Sequence, residues 1–258
     1  MTIRFAARLA RFLATGAALF GLVVGVEIFL AYRRDYLPTE PVLDIRGTFG
    51  PPGGDPLNLV VLGDSTAAGV GAGDVSNAYP VLLAQRLGEE HNRRVTLTSL
   101  GVSGARVRTV LTDQIPRVAA THPDLVFVAI GANDVTHVTR LDDVERDMTL
   151  LIDRLHDTGA AVVVAGPPDM RAAAFHEPLR TLVGWRGRKV AETIARAAAR
   201  RDVPVVPLAE RAGPYFAAHP EEAYGGDDFH PGPGGYAAWA RAIYPYLEAA
   251  LVSATRAR

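Results

Sequence analysis

Four short motifs carry the side chains of this sequence that could do chemistry, and each lies where a predicted strand ends or the last helix begins. They are Gly63-Asp64-Ser65-Thr66, Gly101-Val102-Ser103-Gly104, Gly131-Ala132-Asn133-Asp134 and Asp227-Asp228-Phe229-His230-Pro231. Together they offer a hydroxyl nucleophile, donors for an oxyanion, and an imidazole with a carboxylate nearby. Each motif alone is weak, but the four in this order predict serine-dependent acyl transfer.

Ser65 is the predicted nucleophile and His230 the predicted base. A serine directly after a strand is presented at the edge of a sheet, where backbone N–H groups can bind negative charge. His230 would take its proton while a carboxylate holds the other ring nitrogen. Asp227 and Asp228 both lie close enough in sequence to supply that carboxylate. The alternative is that these aspartates and Ser65 only cap the segments that follow them.

The backbone N–H of Gly104 and the side-chain amide of Asn133 are the predicted oxyanion donors, beside the N–H of Ser65. A glycine lets its N–H approach the oxygen closely, and losing one such donor typically costs about 100- to 1000-fold in turnover. The alternatives are a tight turn at Gly104 and a loop-stabilising hydrogen bond at Asn133. Asp134 is predicted to hold its loop rather than to take part in the chemistry.

Other site classes fit the sequence poorly. The run Gly69-Val70-Gly71-Ala72-Gly73 is not a dinucleotide-binding loop, because Asp74 occupies the position of the last glycine. Asp and His residues at metal-ligand spacing are absent outside 227–230, and the chain has no cysteine, which excludes thiolate metal sites and a cysteine nucleophile. The formal net charge of −1 gives no reason to expect nucleic acid. We therefore expect no cofactor, no metal and no nucleic-acid partner.

Alternating strands and helices must position these motifs. Short continuous apolar runs predict buried strands, and amphipathic stretches predict helices. The alternation predicts an α/β fold with a five-stranded parallel sheet covered on both faces, in which sites form at the carboxyl ends of the strands. The predicted strands are 57–62, 94–100, 125–130, 161–165 and 203–206; the predicted helices are 79–90, 107–120 (interrupted by Pro116), 142–158, 179–201 and 235–252.

The N-terminal region differs from the rest of the chain. Residues 12–32 are apolar apart from Glu27 and small polar residues, and roughly 20 such residues span a bilayer as one helix. Arginines flank the run on both sides: Arg4, Arg8 and Arg11 before it, Arg33 and Arg34 after it. Their balance favours a cytoplasmic N-terminus only weakly.

This pattern predicts a single-pass cell-membrane protein whose catalytic domain lies outside the cytoplasm. The alternatives are a cleaved signal sequence, which would release a secreted protein, and an amphipathic or buried helix. Residues 1–36 are thus the predicted anchor or signal and 57–258 the predicted catalytic domain. Residues 37–56 are rich in proline and glycine and are the predicted linker.

At these positions the sequence resembles the SGNH, or GDSL-type, hydrolases, over about 57–251. The four catalytic residues of that family match Ser65, Gly104, Asn133 and His230, with Asp227 as the third member of the triad. The resemblance implies a flavodoxin-like three-layer α/β/α fold and hydrolysis of esters, from small acetyl esters to lysophospholipids.

Two details refine the resemblance. Thr66 stands where many members carry leucine, and the segment 63–69 looks like that of a lipase-like esterase subgroup. The α/β-hydrolases are a poorer match, because Ala67 stands where their nucleophile motif requires glycine.

The implied activity is that of a serine esterase or lipase, from a bacterium by its Ala/Arg/Gly-rich composition, acting on an ester or lipid-like substrate. Phe175, Leu179 and Trp185 follow the fourth strand and are the predicted substrate-binding residues, although their helical spacing suits plain core equally well. One alternative is an acyltransferase or deacetylase acting on cell-envelope carbohydrate. Another is a non-catalytic binding domain.

Overall fold

The computed structural model describes residues 2–40 and 42–257, with only the course of the helices at residues 2–4, 6, 7 and 255–257. In this part of the chain six strands form one mixed sheet. The strands are β1 (Arg46–Phe49), β2 (Asp55–Gly63), β3 (Arg93–Ser99), β4 (Leu125–Ala129), β5 (Ala161–Ala165) and β6 (Val205–Val206). Their order across the sheet is β1-β3-β2-β4-β5-β6.

The predicted α/β fold is confirmed, but the predicted strand count of five is wrong by one edge strand. Strands β2 to β6 pair in parallel, as expected, whereas β1 pairs antiparallel with β3. Strand β1 lies in the 37–56 range predicted as a linker. As a four-residue edge strand with alternating exposure, it lacks the continuous apolar run that marks the buried strands.

Helices cover both faces of the sheet and make the fold three-layered. The helices are α1 (Thr2–Arg33), α2 (Tyr79–Glu90), α3 (Val107–Thr109), α4 (Ile115–Val118), α5 (Ala132–Thr136), α6 (Leu141–His156), α7 (Leu179–Ala199), α8 (Leu208–Ala218), α9 (Pro220–Ala223) and α10 (Pro233–Ala257). One core cluster joins the sheet to α2, α8 and α10 through side chains such as Leu83, Ala212 and Trp239. The other joins the opposite face to α4, α6 and α7 through side chains such as Val118, Leu151 and Ile194.

The single helix predicted over 107–120 is broken into short pieces. Helix α3 is followed by a π-helical turn, Val110–Gln114, and α4 by a 3₁₀ turn, Ala119–Thr121. Pro116 lies in the first turn of α4, where a missing N–H does no harm. π-helical turns recur near functional sites, and this one directs Gln114 into the core beneath the strand end that carries Ser65.

Helix α1 is long and apolar enough, over Arg8–Arg33, to cross a membrane by length and composition alone, and no residue of its most apolar part is fully buried. A membrane anchor and a signal sequence both have this property. The last two turns behave differently, because Glu27 and Ala31 are half-buried against the catalytic domain. The carboxylate of Glu27 accepts a hydrogen bond from Leu179 N at 2.8 Å, at the start of α7.

Candidate active site

The segment that carries Ser65 is held in place from below by Gln114. The Gln114 side chain is completely buried; its Oε1 accepts from Gly63 N at 3.0 Å and its Nε2 donates to Gly63 O at 2.7 Å. Gly63 ends β2, and a Cβ added there would lie 2.3 Å from Ala129 O. A clamp on both backbone groups of Gly63 therefore fixes the strand end two residues before Ser65. Gln114 is not marked by the sequence, because a lone glutamine in a helical pattern carries no signal of a buried role.

Asp64 and Thr66 form the turn around Ser65. Asp64 Oδ1 accepts from Thr66 N at 3.0 Å and from Thr66 Oγ1 at 2.8 Å. Burial raises the pKa of the Asp64 carboxyl, although the two hydrogen bonds from Thr66 oppose the rise. Asp64 thus shapes the loop, while the neighbouring Ser65 points into a cavity.

Ser65, His230 and Asp227 are brought together in the described structure. His230 Nε2 lies 3.1 Å from Ser65 Oγ, and His230 Nδ1 lies 2.6 Å from Asp227 Oδ2. With Nδ1 protonated and donating to the carboxylate, the lone pair of Nε2 faces the serine hydroxyl. This is the geometry that a serine–histidine–aspartate triad requires.

The carboxylate of Asp227 is saturated with donors. Its Oδ1 accepts from Phe229 N at 3.0 Å and from His230 N at 2.9 Å. Its Oδ2 accepts from Leu37 N at 3.0 Å in addition to the His230 ring. Burial opposes ionisation of this carboxyl, but the hydrogen bonds from the His230 ring and from three backbone N–H groups outweigh it and lower its pKa well below the ordinary value. Asp227 is therefore ionised at neutral pH and can orient the imidazole.

Asp228, the other carboxylate that the spacing allowed, faces away from the imidazole. It adopts a positive φ of 56°, and its side chain is half exposed in an ion pair with Arg34 at 2.6 Å. Only the fold separates the two aspartates: Asp227 binds the His230 ring, whereas Asp228 binds Arg34.

Gly104 lies in the loop after β3 and Asn133 lies in the short helix α5; the two segments are tied together beside Ser65. Asn133 Nδ2 donates to Ala105 O at 3.0 Å, and Asp134 Oδ2 accepts from Val107 N at 3.0 Å. Asp134 therefore ties α5 to the start of α3. Gly104 has a φ of 78° with open space where a side chain would stand, and both Gly104 and Asn133 line the same cavity as Ser65 and His230.

The cavity has a volume of about 590 Å³, within the usual range for small-molecule sites. Its polar end is formed by Ser65, Gly104, Asn133 and His230. Its walls are mostly apolar and include Met170, Phe175, Leu179, Val183, Phe216 and Trp239. Residues 28, 31, 32 and 36 also line it, although the sequence analysis assigned them to the anchor.

Of the three predicted substrate-binding residues, Phe175 and Leu179 line the cavity but Trp185 does not. Trp185 is 52% exposed. It follows Leu179 by six residues on α7, which at 100° per residue places it about 240° around the helix from the cavity-facing side. Val183, four residues after Leu179, lies on the correct face instead.

The glycine-rich run that was rejected as a nucleotide loop supports the histidine. Gly71 has a φ of 91°, and a Cβ there would lie 2.3 Å from Pro231 O. Val70 O accepts a hydrogen bond from the buried Tyr236 hydroxyl. The loop after Ser65 is thus packed directly against the loop of His230.

Comparison with known proteins gives the family. Residues 61–238 match the model of the GDSL-like lipase/acylhydrolase family. A GDSL-like esterase of Mycobacterium tuberculosis is 32% identical over 198 residues, which cover 76% of this chain and 63% of that protein. An arylesterase of Vibrio mimicus is 33% identical over 107 residues, which cover 41% of this chain and 52% of that protein. The chain thus spans less than two thirds of the length of these relatives.

Solved structures show the same fold at low sequence identity. An acetyl xylan esterase of Geobacillus stearothermophilus superposes with a TM-score of 0.60 at 20% identity, over 75% of this chain and 95% of that one. Since the family match covers more than half of the residues, this chain belongs to the GDSL-like lipase/acylhydrolase family.

Proposed function

We propose that this member of the GDSL-like family is a serine esterase that hydrolyses carboxylic esters, with Ser65 as nucleophile. The observation that carries the proposal is the chain of contacts from Ser65 Oγ to His230 Nε2 at 3.1 Å and from His230 Nδ1 to Asp227 at 2.6 Å, at the polar end of an apolar cavity.

The first half of the reaction forms an acyl-enzyme. Ser65 Oγ attacks the ester carbonyl while His230 Nε2 accepts the hydroxyl proton, and Asp227 stabilises the imidazolium. The negative oxygen of the tetrahedral intermediate receives hydrogen bonds from the N–H groups of Ser65 and Gly104 and from Asn133 Nδ2. An amide nitrogen carries two hydrogens, so Asn133 can serve both Ala105 O and the oxyanion. His230 then gives its proton to the leaving alcohol.

The second half of the reaction hydrolyses the acyl-enzyme. Water takes the place of the alcohol and gives a proton to His230 Nε2 as it attacks the acyl-enzyme. A second tetrahedral intermediate collapses, the carboxylic acid leaves, and Ser65 Oγ regains its proton from the imidazolium.

The test is Ser65→Ala against a matched control, Ser103→Ala, since Ser103 also lines the cavity. We expect hydrolysis of p-nitrophenyl esters to fall on the order of 10⁴-fold or more in Ser65→Ala and to stay near wild type in Ser103→Ala. An organophosphonate should label Ser65, located by peptide mass spectrometry. Full activity in Ser65→Ala, or label on another serine, would remove the proposal.

The apolar walls favour an acyl chain longer than acetyl. The rival is deacetylation of a carbohydrate, the activity named for the structural neighbour from Geobacillus stearothermophilus. A series of p-nitrophenyl esters from acetate to palmitate separates the two. We expect kcat/KM to rise from acetate to medium chain length, because each buried methylene contributes about 0.8 kcal/mol, whereas a carbohydrate deacetylase should be fastest on acetate.

We further propose that α1 remains as a membrane anchor with the catalytic domain outside the cytoplasm. The length of the apolar run and the arginines before it support this topology. Alkaline carbonate should leave the full-length protein in the membrane, and protease added to intact cells should degrade the domain. A soluble product that begins beyond residue 32 would indicate a cleaved signal, and a domain protected until lysis would indicate the opposite orientation.

A further inference from the structure

The end of helix α1 and the residues after it do more than connect the anchor to the catalytic domain. We call residues 27–37 the membrane-proximal segment. Glu27 binds the start of α7 through Leu179 N at 2.8 Å. Arg34 and Leu37 bind the loop that carries Asp227. The segment is therefore attached to the catalytic domain at both of its ends, on either side of the cavity.

Its C-terminal end holds the acid of the candidate triad. Leu37 N donates to Asp227 Oδ2 at 3.0 Å, the same oxygen that accepts from the His230 ring. Arg34 Nε donates to Asp227 O at 3.0 Å, and Arg34 Nη2 binds Asp228 Oδ2 at 2.6 Å. These contacts join positions some 190 residues apart in the chain. They orient both the backbone and the carboxylate of Asp227 from outside its own loop.

Its helical part forms one wall of the cavity. Ile28, Ala31, Tyr32 and Tyr36 are lining residues. Ala31 packs against the small cluster built on Phe175. The Tyr36 ring meets the Phe229 ring edge to face at 5.4 Å between centroids. Without this segment, the apolar end of the cavity would be open to solvent on that side.

The position of the segment relative to a bilayer follows from the helix rise. The apolar run from Phe12 to Tyr32 covers about 30 Å at about 1.5 Å per residue, which matches the hydrocarbon thickness of about 30 Å. Tyr32 then lies at the outer end of the span, and Glu27 lies about 8 Å before that end. The cavity wall is therefore at the outer surface of the lipid.

We propose that the membrane-proximal segment contributes to this active site in two ways. Arg34 and Leu37 position Asp227. The last turns of α1 form the wall on the lipid-facing side of the cavity, where an ester with a membrane-embedded acyl chain enters. The inference rests on the proposed esterase function. It makes Arg34 and Leu37 positioning residues, and it makes Ala31 and its neighbours determinants of acyl-chain specificity.

The decisive variant pair is Leu37→Pro and Leu37→Ala in the full-length protein in detergent. Proline removes the N–H that binds Asp227 at a position already restricted to extended backbone by Pro38, whereas alanine keeps it. We expect kcat to fall about 10- to 100-fold in Leu37→Pro, as for loss of a hydrogen bond to a charged group, with KM little changed. Leu37→Ala should keep kcat within about threefold of wild type.

A second set tests Arg34 against its neighbour. Arg34→Ala should lower kcat, and Arg34→Lys should restore part of it by keeping the ion pair with Asp228. Arg33→Ala is the matched control, because it removes the same charge one position earlier from an exposed side chain. Unchanged kcat in both Leu37→Pro and Arg34→Ala would overturn the positioning role. A loss of kcat in Arg33→Ala equal to that in Arg34→Ala would also overturn it.

The wall is tested by Ala31→Trp, with Leu30→Trp as control because Leu30 is exposed on the same helix turn. The larger side chain in Ala31→Trp would occupy part of the cavity and should lower kcat/KM at least tenfold for palmitoyl esters while leaving kcat/KM for acetyl esters unchanged. Leu30→Trp should not change the ratio of kcat/KM between palmitoyl and acetyl esters. An unchanged ratio of kcat/KM between palmitoyl and acetyl esters in Ala31→Trp would refute the proposed wall.

Ser65→Ala is measured beside every series of variants. Activity that remains in Ser65→Ala contradicts the proposed esterase mechanism itself. Activity that is lost in Ser65→Ala but intact in the variants of the membrane-proximal segment contradicts only this inference.

Discussion

Replacing Gln114 by methionine should destabilise the protein and impair catalysis together. Methionine has a similar volume and the flexibility to fill the same space, but it cannot replace either hydrogen bond to Gly63. The site is completely buried. Gly63 O would still accept a hydrogen bond from Val102 N at 3.1 Å, but the Gly63 N–H would be left without a partner. At about 1–3 kcal/mol for an unsatisfied buried group, the expected loss in the free energy of unfolding is about 1–3 kcal/mol.

That loss is a substantial part of the usual total of about 5–15 kcal/mol, and at about 2–4 °C per kcal/mol it lowers the melting temperature by roughly 2–12 °C. Urea unfolding followed by tryptophan fluorescence measures it. Well below the transition, kcat should still be reduced, because Gly63 lies two residues before Ser65. Gln85→Met makes the same chemical change at a partly exposed position of α2 and is the matched control.

Gln114→Glu separates the two hydrogen bonds. A glutamate accepts from Gly63 N in either form but donates to Gly63 O only when protonated. The variant should therefore be closer to wild type at pH 5 than at pH 8. The reasoning is refuted if Gln114→Met unfolds within about 0.5 kcal/mol of Gln85→Met, or if the stability of Gln114→Glu does not depend on pH differently from wild type.

Two further predictions concern the buried acid and the cavity. Burial raises the pKa of Asp64 in the folded state, against the opposing hydrogen bonds from Thr66. The folded protein therefore binds this proton more tightly than the unfolded chain and loses stability as pH rises from about 4 through the folded pKa. Asp64→Asn keeps the acceptor for Thr66 and should remove that loss, so its melting temperature relative to wild type should be higher at pH 7 than at pH 4; an equal effect at both pH values would contradict this prediction. Phe175→Ala enlarges the cavity and should shift the preferred p-nitrophenyl ester to a longer acyl chain, whereas Trp185→Ala should leave the preference unchanged. A shift in Trp185→Ala would show that our placement of the cavity wall is wrong.

The local sequence patterns predicted the parallel strands and the helices of twelve or more residues. Strand β4 reads as a continuous apolar run because it is buried on both faces, and all five of its residues are buried in the structure. Helix α6 was predicted over 142–158 and spans Leu141–His156, since its amphipathic pattern and the following Gly159 are local signals. Four elements were not predicted. β1, α5 and α9 have only four or five residues each, too few for a periodic pattern to be distinct. Helix α8 contains Pro214, a residue that argues against a helix in the sequence.

The sequence also predicted which residues would meet at the candidate site, because the carboxyl ends of parallel strands share one edge of the sheet. Asp227 and Asp228 remained equivalent until the resemblance to the family favoured one, and the fold separates them, because only Asp227 binds the His230 ring. For Trp185, the helical spacing marked an apolar residue but not the face that turns toward the cavity.

Three features can be read from the sequence alone: the order of the motifs, the alternation of strands and helices, and an apolar N-terminal run of membrane-spanning length. Each of these depends on neighbours within a few residues, so local chemistry is enough. Contacts between distant segments are visible only in the folded protein. Gln114 clamps Gly63 across 51 positions, and Arg34 and Leu37 reach Asp227 from the predicted anchor and linker. Such contacts use backbone C=O groups and the N–H groups that all residues except proline carry, so no residue type marks them in advance.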